Sequence, residues 1–548
     1  MKFKKLLGAI FLLAVVFAAC TGENHADSPG TNEETAPEEA TYPEFIIETT
    51  NDDERIYETL ANYMFIPDDE IIGEWVYFSF CRNYENYQAV DFDNETITTQ
   101  TEDGDEELTF ADFVNHRPEN HEEFYLEKLK FFDNGTVVLQ FDETKIFDNS
   151  PIQTKKWTKG YILYDMPHSD IVPAYIMTNI GNDRYIFIEW KDFYVYGGRP
   201  GYLVYKKTSN RATFDIGDII DRDIRNLDLS FADFTDMREG FVNYWFNERT
   251  IFPPRDRMPK DDRHQPEYIL EAGKNPGLGV RAIHERGITG KGVNVAIIDV
   301  AMSDNHPEYD GKIIEYVNFS EWEHSFHGPF VTSLLVGESI GTAPGAKVYY
   351  YSVERYIDRK SDASAFAEAL DMIVEKNKTL PESEKIKVAS ISATPTPLAD
   401  GYRDASQIVN GEKYLASYRR ATESGILVLD ASLENGIIGA ARYDFSSPED
   451  ITLCQVVGYN DRAIFAPMAY RTTSAVHSEG DYSYQYMGFG GLSSAIPWAA
   501  GVLALGWQVS PELTADEILR ILMETAYVDH EGYKFIFPAA FIDYLQNY

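Results

Sequence analysis

From residue 276 to the end of the chain, helical segments alternate with short, mostly apolar segments. This alternation is typical of a parallel sheet that carries helices on both faces. One apolar segment, residues 293–298, leads directly into the carboxylate of Asp299. Because α/β sheets hold their active sites at the C-terminal ends of the strands, Asp299 is a candidate site residue. The pattern therefore predicts an α/β domain, which we assign to residues 266–548.

Two further polar residues stand at the starts of apolar helical segments. His327 is followed by Gly328 and then by an apolar run, and Ser493 lies in the sequence Gly-Leu-Ser-Ser-Ala-Ile-Pro at 491–497. A serine at a helix N-terminus lies near backbone N–H groups and the positive end of the helix dipole, which stabilise an oxyanion. Taken singly, each residue also has a purely structural explanation. Asp299 would begin a turn, His327 would begin a helix, and Ser493 would be an N-cap.

Taken together and in this order, the three segments resemble the subtilase family of serine peptidases. Residues 297–300, Ile-Ile-Asp-Val, resemble the family's aspartate motif. His327 and Gly328 begin its histidine motif, and residues 491–497 resemble its serine motif. The resemblance therefore implies a subtilisin-like catalytic domain.

The resemblance extends over residues 270–530 and implies a catalytic mechanism. Ser493 would attack a peptide carbonyl while His327 accepts its proton and then protonates the leaving amine. Asp299 would hold the imidazole in the required tautomer and stabilise its cation. Pro497, four residues after Ser493, favours this serine over its neighbour as the nucleophile.

The sequence departs from the family pattern at several positions near the predicted site. Pro329-Phe330 replaces the usual Thr-His, Leu492 replaces the usual threonine before the nucleophile, and Ala301 replaces a glycine. These changes alter packing and remove no catalytic group. The segment Ser-Ile-Ser-Ala-Thr at 390–394 ends on threonine where the family has glycine. Its Ser392 is the candidate residue on the strand that would hold a substrate.

The family's side-chain donor to the oxyanion is an asparagine that follows a buried strand, here residues 425–429. Counting without gaps places Glu434 at that position, with Asn435 one residue later. Either a one-residue insertion lets Asn435 serve, or the side-chain donor is missing. Loss of this donor costs a subtilisin about 100- to 1000-fold in turnover, so substantial catalysis would survive it.

The first twenty residues have the pattern of an export signal. Residues 1–5 carry three lysines, and the apolar run at 6–19 is too short for a stable membrane span. The run ends Phe-Ala-Ala-Cys, which resembles a bacterial lipobox whose cysteine, here Cys20, is lipidated. An ordinary cleaved signal with an incidental cysteine is the alternative. The resemblance implies an exported protein, anchored by lipid to the extracellular side of the cell membrane.

The region before the α/β domain is rich in short strand-like runs with turn residues between them. Asn134-Gly135 stands between two such runs and predicts a hairpin, and Gly73-Glu74-Trp75 loosely resembles the opening of a lipocalin-type barrel. Whether such a barrel binds a ligand or has a side-chain-filled core stays open. The segment after it is predicted to be an interdomain connector with some local structure, with an activation segment or a clamp on the catalytic domain as alternatives. The predicted segments are a signal peptide at 1–20, an acidic disordered tether at 21–49, a β-rich accessory domain at 50–209, a connector at 210–265 and the peptidase domain at 266–548.

The charge balance limits the kinds of molecule that the protein is expected to bind. With 48 basic and 89 acidic residues the formal net charge is −41, which argues against nucleic acid and against electrostatic adhesion to anionic lipids. Contact with the membrane is therefore expected through the lipid anchor only. Cys81 and Cys454 lack the spacing of a disulfide framework or a metal site. We expect no required cofactor; calcium is common in the family, but no loop here has a calcium motif. The sequence does not indicate an oligomeric state.

Three functions are compatible with these observations, and the sequence favours the first. The chain is an extracellular serine endopeptidase acting on peptides or proteins, or a peptidase-like domain that binds peptides without cleaving them. In the third alternative the β-rich domain senses a ligand, with the peptidase domain as effector or relic. The departures around an otherwise intact set of catalytic groups keep the second alternative open.

Overall fold

A computed structural model describes the chain from residue 65 to 548, with gaps. All the described residues belong to one compact unit, Asp52–Tyr548. Cys20 and Asn435, both singled out above, lie outside the described residues. The described ranges are 65–81, 96–101, 104–109, 126–142, 151–163, 173–190, 201–219, 222–303, 305–319, 325–354, 356–357, 360–393, 395, 408–432, 436–458, 462–476 and 482–548.

Antiparallel strands dominate the first part of the described chain. They are β1 (Gly73–Cys81), β2 (Thr96–Thr101), β3 (Gly104–Thr109), β4 (Leu126–Phe131), β5 (Thr136–Phe141), β6 (Ile152–Thr158), β7 (Tyr161–Leu163), β8 (Tyr175–Ile180), β9 (Asp183–Trp190) and β10 (Gly201–Ser209). Eight of them form one sheet in the order β7-β6-β5-β4-β1-β10-β9-β8, and β2 pairs with β3. A bridge between Tyr161 and Ala174 brings the two ends together, and Tyr175 N donates to Gly160 O at 2.9 Å. The sheet is therefore barrel-like.

The inside of this sheet is filled with large side chains. Trp75, Trp157 and Tyr205 are each 0% exposed and belong to one apolar cluster. This packing favours the side-chain-filled alternative over a ligand-holding barrel. The hairpin predicted at Asn134-Gly135 is confirmed, since Phe131 pairs with Val137 across that turn. The lipocalin-like resemblance stays a prediction.

The rest of the described chain alternates strands with helices. The strands are β11 (Trp245–Asn247), β12 (Asn294–Asp299), β13 (Ile313–Asn318), β14 (Lys347–Ser352), β15 (Tyr356–Ile357), β16 (Lys360–Asp362), β17 (Ile386–Ile391), β18 (Ile408–Val409), β19 (Leu427–Asp430), β20 (Ile438–Arg442), β21 (Gln455–Val457), β22 (Ile464–Pro467), β23 (Arg471–Ala475), β24 (Ser483–Met487), β25 (Tyr527–Val528) and β26 (Lys534–Phe535). The α-helices are α1 (Pro266–Ala272), α2 (Val280–Glu285), α3 (His327–Val336), α4 (Ser364–Thr379), α5 (Gly411–Glu423), α6 (Leu492–Val509), α7 (Ala515–Glu524) and α8 (Pro538–Asn547).

The central sheet is parallel and has the order β13-β14-β12-β17-β19. Side chains alternate between its faces, as the two-residue period of a strand requires. Val295 and Ile297 pack into the core that contains α3 and α6, whereas Ala296 and Ile298 pack into the core that contains α4 and α5. The predicted α/β domain, a parallel sheet with helices on both faces, is confirmed.

Helix α2 is shorter than the sequence suggests. The pattern predicts a helix over 276–286, but α2 begins at Val280. Gly277, Leu278 and Gly279 have φ angles of 75°, 51° and 80°. Three successive residues in the left-handed region are incompatible with a right-handed helix, so the helix begins after them.

Residues 222–265, within the predicted connector, form a packed layer. Strand β11 pairs antiparallel with β24 of the α/β domain. Phe241 and Phe246 are buried in a cluster with Tyr486 of β24 and with Val138 of the barrel-like sheet. This segment therefore joins the two regions through a shared apolar core rather than as an extended linker.

Candidate active site

Asp299 ends the middle strand of the central sheet. All six residues of β12 are buried, and the Asp299 side chain is 3% exposed. Its Oδ1 atom lies 2.6 Å from Nδ1 of His327 and also accepts the backbone N–H of Val300 at 2.9 Å. A buried carboxylate is costly unless it has such partners, and here the imidazole is one of them.

His327 is the first residue of α3, and the other nine residues of that helix are buried. The ring packs edge-on against Phe330, with 5.4 Å between the centroids, and against Phe326, at 6.1 Å. Its side chain is 22% exposed, so part of the ring faces solvent. With Nδ1–H directed at Asp299, the imidazole presents Nε2 as a base.

The glycine after the histidine is required by close packing. A Cβ atom at Gly328 would lie 2.4 Å from the Tyr350 hydroxyl and 2.8 Å from the carbonyl oxygen of Val300. That hydroxyl donates to the Val300 carbonyl at 2.5 Å, and burial raises the pKa of Tyr350 well above its usual range. Tyr350 is thus a neutral donor that fixes the chain after Asp299. Its role was missed in the sequence, where it is one of three consecutive tyrosines in an apolar strand.

Ser493 lies in the first turn of α6, and Pro497 lies inside the same helix. A proline has no N–H to donate to the carbonyl four residues earlier, which here belongs to Ser493. The hydroxyl of Ser392 supplies the missing bond by donating to that carbonyl at 3.1 Å. In return, the Ser493 hydroxyl donates to the Ser392 carbonyl at 3.3 Å. Pro497 and Ser392 therefore act together to hold the nucleophile candidate.

The structure groups the predicted site residues in two pairs, Asp299 with His327 and Ser493 with Ser392. Helices α3 and α6, which carry His327 and Ser493, pack against each other. Within the described residues, no hydrogen bond joins the Ser493 hydroxyl to His327. The catalytic roles of these residues stay predictions, as does that of Asn435, which lies outside the described residues.

The described part of the chain contains no group of three or more His, Cys, Asp or Glu side chains arranged to hold a metal ion. The sequence-based expectations about cofactors and calcium stay predictions. Among the described helices, Leu492–Val509 has the length and hydropathy of a membrane span. Since 78% of that stretch is buried inside the protein, it is better explained as a core helix.

A second buried carboxylate ends strand β19. Asp430 is 1% exposed, and it accepts hydrogen bonds from the hydroxyls of Tyr414 and Ser432, each at 2.6 Å, and from the Ser432 N–H at 3.0 Å. Burial raises the pKa of Asp430, because desolvation disfavours the ionised carboxylate more than these partners favour it. β19 is separated from β12 by one strand, β17.

We expect Asp430→Asn to reduce the pH dependence of stability. A carboxyl whose pKa is raised on folding loses its stabilising contribution as pH rises from the unfolded-state pKa through the folded-state pKa. Relative to wild type, the variant should therefore be more stable at pH 8 than at pH 4, with a correspondingly larger free energy of unfolding. Urea denaturation at both pH values measures this difference.

Asp371→Asn is the matched control, with the opposite sign. Hydrogen bonding to Arg420 lowers the pKa of Asp371, so this carboxylate stabilises the protein above its unfolded-state pKa. Relative to wild type, Asp371→Asn should therefore be less stable at pH 8 than at pH 4. Equal pH profiles for Asp430→Asn and wild type would show that Asp430 titrates alike in both states.

Comparison with known proteins gives relatives for the α/β part of the chain. The family model of the subtilase family matches residues 290–538. The chain is 24% identical over 277 residues to the subtilisin-like protease PopC of Myxococcus xanthus, covering 45% of this chain and 58% of PopC. It is 27% identical over 258 residues to M-protease of Shouchella clausii, with coverages of 45% and 62%.

Subtilisin BL of Lederbergia lenta is 28% identical over 262 residues, which cover 45% of this chain and 87% of that protein. Among solved structures, the chain is similar to fervidolysin from Fervidobacterium pennivorans, a keratinolytic enzyme related to subtilisin. That match has a TM-score of 0.36 and 17% identity, and it covers 50% of this chain and 45% of the other. The chain thus spans 58% to 62% of the length of PopC and M-protease.

Proposed function

Because residues 290–538 of this chain form a subtilase domain, we propose that the protein is a serine endopeptidase with Ser493 as its nucleophile. The observation that most supports this proposal is the 2.6 Å contact between the buried carboxylate of Asp299 and Nδ1 of His327. A carboxylate at this position holds the imidazole with Nε2 available as a base, which is what a serine nucleophile needs. The substrates would be peptides or proteins.

In the proposed reaction, the Ser493 oxygen forms a bond to the carbonyl carbon while its proton passes to Nε2 of His327. Backbone N–H groups at the start of α6 stabilise the oxyanion, with Asn435 as the proposed side-chain donor. The tetrahedral intermediate then expels the amine, which takes the proton from His327. Water repeats the sequence on the acyl-enzyme and releases the second product.

The resting arrangement of Ser493 requires one change before this step. Its hydroxyl donates to the Ser392 carbonyl at 3.3 Å, so it has to leave that partner to reach His327. A bond of this length is weak, and catalytic hydrogen bonds in free enzymes commonly tighten only when substrate binds. The same observation is what favours the alternative function, a domain that binds peptides without cleaving them.

Active-site labelling distinguishes the two functions. The purified chain is treated with a fluorophosphonate probe, and the modified residue is identified by tandem mass spectrometry. We expect a single modified serine, Ser493, with labelling slowed by a competing peptide substrate. A folded chain that binds peptides but remains unlabelled would establish the non-cleaving alternative.

We also propose that Cys20 carries a lipid that anchors the protein to the extracellular face of the cell membrane, as the sequence before it suggests. Mass spectrometry of the N-terminal peptide should find a diacylated cysteine, and Cys20→Ala should move the protein out of the membrane fraction. An unmodified mature N-terminus downstream of residue 20 would contradict the anchor.

A further inference from the structure

We propose that residues 222–265, here called the connector layer, are a permanent part of the catalytic unit. Within this layer, Arg225 and Trp245 are positioning residues for the reaction centre. The alternative is an activation segment that is removed before the site works. The catalytic consequence rests on the proposed function, whereas the contacts that support it do not.

The connector layer extends a hairpin that leads directly to Ser493. Strand β11 pairs with β24 so that Trp245 lies opposite Met487 and Asn247 opposite Gln485. The pairing continues beyond the strand, since Gly488 N donates to Tyr244 O at 3.0 Å. Without β11, strand β24 would present an unpaired edge just before the segment 488–492, which we call the nucleophile loop.

Trp245 contacts the nucleophile loop itself. Its indole Nε1–H donates to the carbonyl of Phe489, four residues before Ser493. Gly488 approaches the layer so closely that a Cβ atom there would lie 2.4 Å from the carbonyl oxygen of Val242. Phe489 is 46% exposed, and the guanidinium of Arg442 lies over its ring, 5.6 Å from the centroid. The indole bond holds the backbone of this loop directly, so it is a principal restraint on the chain that enters α6.

Arg225 acts on the other side of the site, at the start of α3. Its guanidinium lies 4.9 Å from the ring centroid of Trp245 and 5.2 Å from that of Phe326. Asp223 orients it by accepting hydrogen bonds from Nε, at 2.9 and 3.1 Å, and from Nη2, at 2.6 Å. Nη1 donates to Gln485 Oε1 at 3.2 Å. A guanidinium held in this way stacks on an aromatic ring without losing much further freedom.

Phe326 lies between Arg225 and His327 and contacts both side chains. It immediately precedes the histidine, and its ring packs edge-on against the imidazole. Phe326 is 42% exposed, so its ring is only partly packed against the core. Arg225 covers the face of this ring and thereby fixes the ring against His327. One arginine and one tryptophan thus connect the entrance of α3 with the entrance of α6.

Burial also favours retention of the connector layer. Phe246 is 2% exposed and packs on Tyr486, which is fully buried, with 5.1 Å between the ring centroids. Removing the layer would expose Tyr486 and the rest of that apolar surface, which soluble proteins avoid. An activation segment that leaves would therefore create an unpaired strand and an apolar patch next to the site.

The test compares two substitutions in the full-length chain with a matched control. Trp245→Phe removes the indole N–H and keeps a ring, and Arg225→Met removes the charge. Arg255→Met is the control, because the contacts of Arg255 lie within the layer, at Pro259 and at residues 260–262. We expect kcat for a peptide substrate to fall about 10- to 100-fold in both test variants, with KM within about twofold of wild type. The control should keep the wild-type kcat, and all three variants should melt near the wild-type temperature.

Two further measurements keep the inference separate from the proposed function. Hydrogen exchange at the amides of 488–492 should be faster in Trp245→Phe than in Arg255→Met, whether or not the chain is an active peptidase. Mass spectrometry of the labelled mature protein should find residues 222–265 still attached. Unchanged exchange, wild-type kcat in both test variants, or an active form that begins after residue 265 would overturn the inference. Absence of labelling in wild type would overturn only the proposed function.

Discussion

Ser493→Ala should leave a folded protein whose kcat for peptide hydrolysis is lower by about 10⁶-fold. That is the size of the loss recorded for a subtilisin when the nucleophile is removed, and residues 290–538 of this chain match the subtilase family model. Stability should change little, because within the described part of the chain the Ser493 hydroxyl makes one long hydrogen bond, at 3.3 Å to the Ser392 carbonyl. A neutral bond of this kind contributes about 1 kcal/mol or less. Steady-state hydrolysis of a fluorogenic peptide and thermal melting measure the two effects.

Ser494→Ala is the matched control for this experiment. Ser494 is adjacent to Ser493 and 2% exposed, and within the described residues its hydroxyl has no hydrogen-bond partner. Removing that hydroxyl leaves no group of the protein unsatisfied, so activity should stay near that of wild type. A large loss in Ser494→Ala, with activity retained in Ser493→Ala, would reverse the assignment of the nucleophile.

Asp299→Asn should lower kcat by about 10⁴-fold while the protein stays folded. In the proposed mechanism, the Asp299 carboxylate accepts the Nδ1 proton of His327, which leaves Nε2 free as a base. An asparagine amide that turns its NH₂ group toward the ring favours the opposite tautomer, in which Nε2 carries the proton and cannot accept another. The fluorophosphonate labelling rate should fall with kcat, because both need the activated serine.

Asp430→Asn controls for the loss of a buried carboxylate in the same sheet. Asp430 also ends a strand of this sheet and is 1% exposed, but its partners are Tyr414 and Ser432 rather than a histidine. The kcat of the Asp430→Asn variant should equal that of wild type. If Asp299→Asn kept kcat within about tenfold of wild type, the contact with His327 would be structural.

Local patterns in the sequence predict the α/β domain and mark Asp299 and His327 as candidates, whereas their pairing was implied by the resemblance to the subtilase family. The mostly apolar run at 293–298 predicts a buried strand that leads into Asp299, and all six residues of β12 are indeed buried. Helix α3 likewise begins at the histidine that precedes an apolar run. The strand and the helix start each depend on about ten consecutive residues, so the apolar pattern of the sequence is enough to predict them.

Features that depend on distant pairing were missed. Strand β11 has three residues and no alternation of its own, and it exists because β24, more than 230 positions later, provides the hydrogen-bond partners. The bond from Ser392 to the Ser493 carbonyl has a local signal in Pro497, which leaves that carbonyl without its helical donor. The donor that replaces it lies about a hundred positions earlier, and spacing alone cannot identify such a partner.

The bond between Trp245 and the carbonyl of Phe489 joins residues 244 positions apart. A ribosome makes the chain from its N-terminus, so the connector layer is complete long before the nucleophile loop exists. Contacts of such high sequence separation also form slowly, since a long loop must close first. The growing chain therefore has no finished reaction centre before the nucleophile loop is made, and the peptidase chemistry proposed for it must wait for that loop and for helix α6.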